Sequence, residues 1–303
     1  MTGPRANRGL KNHQGKDDRK VCLLTNFFEL RVERMDIEPT LRAVCAGFEA
    51  GEWRYSGLSK YLIRDCLLDF ALTYDEKQAI NAENAGRQLA EAAAWLYATP
   101  KYKARGEIGE LLLHVIMKQF YAGRPIVAKV YFKDAANDTV KGFDSVHVCG
   151  SGDQIELWLG EVKFYSEINR AIRDVTKELE KHLAFDYLKA EFTAIRRKLQ
   201  ASPEDEAIIL ALTDKNVSLD KVISRICIPV LLTYDSTVMG AAVEVTESFR
   251  AAFKKEVESI YDTFKSKLPS LSFRVNLCLF PLGSKAKLSS KFHEVLTKCQ
   301  TLN

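Results

Sequence analysis

The stretch Gly142-Phe143-Asp144-Ser145-Val146-His147-Val148-Cys149-Gly150-Ser151-Gly152-Asp153-Gln154-Ile155-Glu156-Leu157-Trp158-Leu159-Gly160-Glu161-Val162-Lys163 decides the fold. Read with a period of two, Ile155, Leu157 and Leu159 share one strand face, and Glu161 and Lys163 continue the same row. On the first strand, Asp144 ends the row that holds Val146 and Val148. The turn at Gly150, Ser151, Gly152 and Asp153 folds the two strands into a hairpin, so Asp144 is expected beside Glu161. Trp158 falls on the opposite face by parity.

Charges on the inward face of a sheet are costly unless they are paired, hydrogen-bonded or bound to a metal. A salt bridge at the sheet edge is one account of these three. The other is a hard divalent cation: Mg²⁺ takes one or two protein carboxylates and keeps several waters, and a neighbouring lysine can hold a water or stabilise charge on a phosphate. The acid-x-Lys triplet by itself is not specific, since Asp18-Arg19-Lys20 and Asp75-Glu76-Lys77 also fit it. Only Glu161-Val162-Lys163 sits on a strand after a hairpin.

Upstream, Arg105-Gly106-Glu107-Ile108-Gly109-Glu110 opens a helical run, with residues 107, 110 and 114 on one face. Glu110 is the candidate second-tier metal or water ligand. Glu107 is equally explained by the positive end of the helix dipole. His114 reads as a satisfied histidine, because no second ligand stands at metal spacing. Gly106 and Gly109 lower helix propensity by up to about 1 kcal/mol each, which points to a close backbone approach.

Glu110 on a helix, Asp144, and Glu161-Val162-Lys163 together resemble the core of the PD-(D/E)xK nuclease superfamily. Arg105-Gly106-Glu107-Ile108-Gly109-Glu110, Gly142-Phe143-Asp144, the segment Leu159 to Tyr165, and Ile228 to Ser236 are similar, more narrowly, to the HamA nuclease family of Hachiman anti-phage defence systems. Gly142-Phe143 replaces the proline of the superfamily name, which is not a ligand. The resemblance implies an α/β (α+β mixed sheet) fold with a restriction-endonuclease-like αβββαβ core. The chain order fits it as helix 104–121, strands near 126–133, 143–149 and 155–164, helix 166–198 and strand 226–233.

It further implies a Mg²⁺-dependent DNA nuclease, with Mn²⁺ as a possible substitute. Asp144, Glu161 and the Val162 carbonyl would hold the metal, Lys163 would orient the water, and Glu110 would support either. Double-stranded DNA is the implied substrate and a HamB-type superfamily 2 helicase the implied partner. The chain has no Gly-x-x-x-x-Gly-Lys-[Ser/Thr] loop, so no nucleotide is expected on it. A catalytically silent nucleic-acid sensor and an RNase are the alternatives.

The 303 residues are 47% hydrophobic and 28% charged, an ordinary globular composition. No apolar run approaches a membrane span, and the start lacks a signal-peptide pattern. The seven cysteines, at 22, 45, 66, 149, 227, 278 and 299, show no framework spacing and read as reduced core residues. A cytoplasmic location is therefore expected. The net charge of +4 resides in a basic leader, residues 1–20, expected to be mobile. The remaining body is neutral, so any DNA surface must come from local asymmetry.

Two local features qualify. Arg170, Arg173, Lys177 and Lys181 form one helical stripe after Lys163, although Asp174 and Glu178 could pair with Lys177 and Lys181. Lys101, Lys103 and Arg105, with Tyr102 between them, mix cation and aromatic as a nucleic-acid contact would; a loop after Pro100 accounts for them equally. Along the chain, 21–100 is read as a mostly helical N-terminal region with an edge strand near Val21–Val32. Residues 101–303 hold the core and a helix (244–267), strand (271–280), helix (285–300) extension, whose strand should extend the sheet.

Overall fold

The computed structural model describes residues 27–96, 106–127, 142–182 and 184–301. The leader 1–20 and the candidate contacts Lys101, Lys103 and Arg105 lie outside them. The chain folds as a mixed α/β protein around a seven-stranded sheet, in the order β1-β2-β9-β8-β7-β6-β5.

Strand β1 (Glu29–Arg34) runs antiparallel to β2 (Thr40–Cys45), which is followed by a small hairpin of β3 (Phe48–Glu49) and β4 (Glu52–Trp53). Helix α1 (Tyr55–Lys60) continues through a π-helical turn (Tyr61–Cys66) into α2 (Leu67–Ala71), and α3 (Tyr74–Gln78) and α4 (Ala85–Leu96) follow. Next come α5 (Glu107–Tyr121), β5 (Arg124–Pro125), β6 (Ser145–Cys149) and β7 (Glu156–Phe164). In place of the strand expected near 126–133, the two-residue β5 ends at Pro125; residues 126 and 127 are not in a strand, and residues 128–141 lie outside the described residues.

After β7 come α6 (Ile168–His182), α7 (Phe185–Lys198), α8 (Pro203–Leu212) and α9 (Leu219–Val222). The chain ends with β8 (Ile226–Asp235), α10 (Thr237–Ala241), α11 (Glu247–Lys267), β9 (Arg274–Leu282) and α12 (Lys285–Gln300).

The single helix expected over 166–198 is two. Ala184 is extended (φ −62°, ψ 133°) and breaks the ladder between α6 and α7. The apolar stripe explains the break. Ile172, Val175 and Leu179 are buried on α6, and Leu188, Phe192 and Ile195 on α7. Leu179 and Leu188 are nine residues apart, two and a half turns at 3.6 residues per turn, so an unbroken helix would aim them in opposite directions. The break lets both rows face inward.

Strands β7, β8, β9 and β2 run parallel, and β8 is buried over nine of its ten residues, as expected of a strand covered on both faces. Helix α5 is apolar nearly all round because the sheet lies on one side and α2 with the π-helical turn on another. Helix α6 packs on β7 and β8. Six cysteines are buried free thiols, as the sequence leads one to expect, while Cys22 lies outside the described residues.

Candidate active site

Strands β6 and β7 pair in antiparallel register from Cys149↔Glu156 to Ser145↔Gly160. Strict alternation would place Asp144 opposite Glu161. Instead the Asp144 N–H bonds the Gly160 carbonyl at 2.8 Å, so two residues stand against one. Such a bulge bends the strand and re-aims a side chain. Here it turns the Asp144 carboxylate onto the Val162 N–H, where Oδ2 accepts a hydrogen bond of 2.9 Å. N–H and C=O of one strand residue point to the same side, so the Val162 carbonyl also faces the end of β6.

Helix α5 fixes β7 from the other face. A Cβ on Gly109 would lie 2.6 Å from Val162 Cγ1 and 2.8 Å from Phe164 Cβ, and one on Gly160 would lie 2.6 Å from Leu113 Cδ2. Helix and strand are therefore closer than any larger residue permits at these points. Gly109 meets the expectation of a close approach.

Asp144, Glu161, Val162 and Lys163 line one cavity of about 640 Å³, together with Gly106, Phe164, Tyr165, Glu178, Lys181, His182, Tyr187 and Lys285. It opens at the carboxyl ends of parallel strands, the usual place for ligands in such sheets. Glu161 and Lys163 are both buried, at 3% and 7% exposure. Lys163 Nζ donates to Glu161 Oε1 at 2.8 Å and also to Glu178 Oε2.

Burial, reinforced by the Asp144 charge, pushes the Glu161 carboxyl up to about 7. Burial works against the Lys163 ammonium, but Glu161 and Glu178 outweigh it and raise its pKa above the ordinary lysine value. The Glu178 carboxyl is lowered: burial opposes ionisation, but hydrogen bonding with Glu161 and Lys163 prevails. Glu161 Oε2 is buried without a hydrogen bond, although His182 Nδ1 lies 3.3 Å away, because the geometry between them does not meet that of a bond. An orphaned carboxylate oxygen of this kind suits a cation or a water.

Among the described residues, no three His, Cys, Asp or Glu side chains are gathered so as to hold a metal ion alone. Mg²⁺ does not demand such a cage, since it commonly takes one or two carboxylates, waters and substrate phosphate. Two carboxylates and a strand carbonyl fit that mode.

Glu110 is half-buried in the first turn of α5 and does not line the cavity; Gly106, one turn earlier, does. Of the basic stripe, only Lys181 reaches the rim. Arg170 and Arg173 are exposed and pair with Asp174 at 3.6 and 3.5 Å, and Lys177 is exposed. Glu178 does not serve Lys181, as sequence spacing suggests, but Lys163.

Sequence reading passed over four lining residues: Glu178 as part of the site, His182, Tyr187 and Lys285. The His182 ring stacks on Tyr187 (4.5 Å, 12°), and Phe143 meets it edge-on at 5.0 Å. Glu178, Lys181 and His182, at i, i+3 and i+4 beside the core stripe, carried a usable signal. Lys285 carried none, coming from a distant helix.

His114 is satisfied, and away from this cavity. Its Nε2 is 2.8 Å from Asp69 Oδ2 and its Nδ1 is 3.2 Å from His147 Nε2. Lys118 and Lys77 also pair with Asp69, at 2.5 and 3.1 Å. Burial opposes the Asp69 charge, but His114 and the lysines hold its carboxyl far below the usual range.

A family model described as HamA matches residues 23–296. The chain belongs to the HamA family. The HamA match runs from before β1 to Leu296 in α12, so it takes in every strand of the sheet and the whole cavity. HamA membership makes the chain a component of Hachiman anti-phage defence. Comparison with curated proteins gives no match. No helix among the described residues is long and apolar enough to cross a membrane.

Proposed function

We propose that this HamA-family chain is a metal-dependent nuclease of PD-(D/E)xK type that hydrolyses DNA phosphodiester bonds under the control of a HamB-type superfamily 2 helicase. One observation carries the reading. Two carboxylates and an ammonium, from Asp144, Glu161 and Lys163, line a single cavity at the carboxyl edge of the sheet, and one buried oxygen of Glu161 accepts no hydrogen bond from the protein.

Asp144, Glu161 and the Val162 carbonyl would hold Mg²⁺ or Mn²⁺. The ion would neutralise both carboxylates and draw the phosphodiester charge into the site. Asp144 is held by the Val162 N–H, which fixes its carboxylate relative to Glu161. The raised pKa of Lys163 keeps it an ammonium near neutrality, so it donates hydrogen bonds; its role is to orient the attacking water and stabilise negative charge on the phosphate. Glu178 positions that ammonium.

A second reading, a silent nucleic-acid sensor, draws on the engagement of Lys163 by both Glu161 and Glu178. A cleavage assay separates the two. Purified chain, alone and with its helicase partner, is incubated with plasmid, linear DNA and RNA in Mg²⁺, Mn²⁺ or EDTA. DNA cleavage with either metal, lost in EDTA and lost in Glu161→Gln and Asp144→Asn, is the expected result. Undiminished cleavage by the folded double variant overturns the site assignment. No cleavage by the wild-type complex in either metal favours the sensor, and RNA cleavage alone assigns an RNase.

A further inference from the structure

The cavity has a cation that the proposed chemistry leaves unused. Lys163 is engaged by Glu161 and Glu178, and Lys181 sits exposed on the rim. Lys285 comes from α12, outside the hairpin that carries the acids, yet it lines the same cavity. Its Nζ lies 5.0 Å from the centroid of Phe164 and 6.0 Å from that of Tyr165, the two residues that follow Lys163 on the chain. The ammonium therefore stands just past the end of the catalytic row.

Its placement is built. The Lys285 N–H donates to Asp235 Oδ1 at 2.5 Å, tying the start of α12 to the end of β8, and Ser284 caps the helix through the Lys287 N–H. Among the described residues the ammonium forms no ion pair; it lies over two aromatic rings. Burial lowers its pKa and the Asp235 charge only partly offsets this, which leaves an ammonium short of a negative partner. A phosphate would supply one, and aromatic walls weaken competition from water.

We propose that Lys285 is a phosphate-binding residue of this site, taking a non-scissile phosphodiester group of the DNA strand that lies across the cavity. This rests on the nuclease reading for the direction of the strand, but the contact is measured without cleavage. A labelled DNA duplex is titrated with wild type, Lys285→Gln and Lys285→Arg in EDTA, by fluorescence anisotropy, over a series of salt concentrations.

Loss of one charged contact should weaken binding roughly tenfold in Lys285→Gln at low salt. It should also reduce the slope of log affinity against log salt by about 0.9, the release of one counterion. Lys285→Arg should retain the slope. Thermal melts accompany each variant; should Lys285→Gln lose its cooperative melt, Lys285→Met, an unbranched neutral side chain, takes its place. Wild-type affinity and slope in the neutral variant overturn the proposal, as does a wild type that binds no DNA at low salt. Cleavage in Mg²⁺ is scored separately: a chain that binds through Lys285 and never cuts would sink the nuclease reading and leave this one standing.

Discussion

Replacing Gly109 by alanine should damage the candidate site from behind. The added Cβ would stand 2.6 Å from Val162 Cγ1 and 2.8 Å from Phe164 Cβ. Carbon atoms pack at about 3.5–4.0 Å, so α5 must retreat from β7 by roughly 1 Å. Overpacking of this kind costs about 1–3 kcal/mol. Alanine returns up to about 1 kcal/mol in helix propensity, leaving a net loss of up to about 2 kcal/mol. At this chain length that corresponds to a fall of up to about 3 °C in Tm.

Val162 lies between Glu161 and Lys163, so the strain enters the site itself. A displacement near 1 Å can lower a catalysed rate on the order of a hundredfold. Cleavage should therefore fall far more than the melting temperature. Gly86→Ala in α4 is the control: its Cβ would meet nothing within 4 Å, and the variant should be neutral or slightly stabilised. Calorimetry and a plasmid-cleavage time course read the two effects. A Gly109→Ala protein with wild-type melting and wild-type cleavage would refute the idea that contact with α5 sets the position of β7.

Glu161→Gln should stabilise the protein at alkaline pH. A carboxyl with a raised folded pKa contributes stability below its unfolded value and loses it as pH rises through about 7; glutamine has no proton to lose. The rise from 4.5 to about 7 corresponds to an advantage on the order of 3 kcal/mol above pH 7, fading towards pH 4.5, while Lys163 keeps Glu178 as partner. Denaturant melts at pH 5 and 8.5 check it, and an equal loss at both would count against the buried-carboxyl argument. Asp69→Asn removes the charge shared by His114, Lys77 and Lys118 and should cost about 2–3 kcal/mol at neutral pH, discounted for partial exposure. Because the Asp69 carboxyl is depressed, its contribution is present above its unfolded value and declines as pH falls below about 4. Chemical denaturation of both proteins between pH 3 and 7 would expose a difference that fails to narrow in acid.

Much of this molecule was legible where local pattern dominates. Period-two alternation located β6, β7 and the residues that close their rows, and the apolar run at 226–233 became the core of β8. The bulge at Asp144 was not legible, because a two-against-one pairing leaves the residue types of the alternation intact. The break between α6 and α7 was written in the spacing of Leu179 and Leu188, which a count of turns reveals and a list of apolar residues hides. Thr40–Cys45 escaped as a strand because its order comes from pairing with β9, far along the chain. Helical spacing offers Lys181 as a partner for Glu178, whereas tertiary packing gives it Lys163. Long-range juxtaposition likewise brings Lys285 to the cavity.

The sheet order has a temporal side. Strand β9, which follows every other strand of the sheet in chain order, slots between β2 and β8. Until Leu282 has emerged, each of those strands presents a bare row of amide and carbonyl groups, and Lys285 is not yet available to the cavity. A nascent chain thus cannot complete its central layer early; the arrival of β9 closes a seam that everything made before it leaves open.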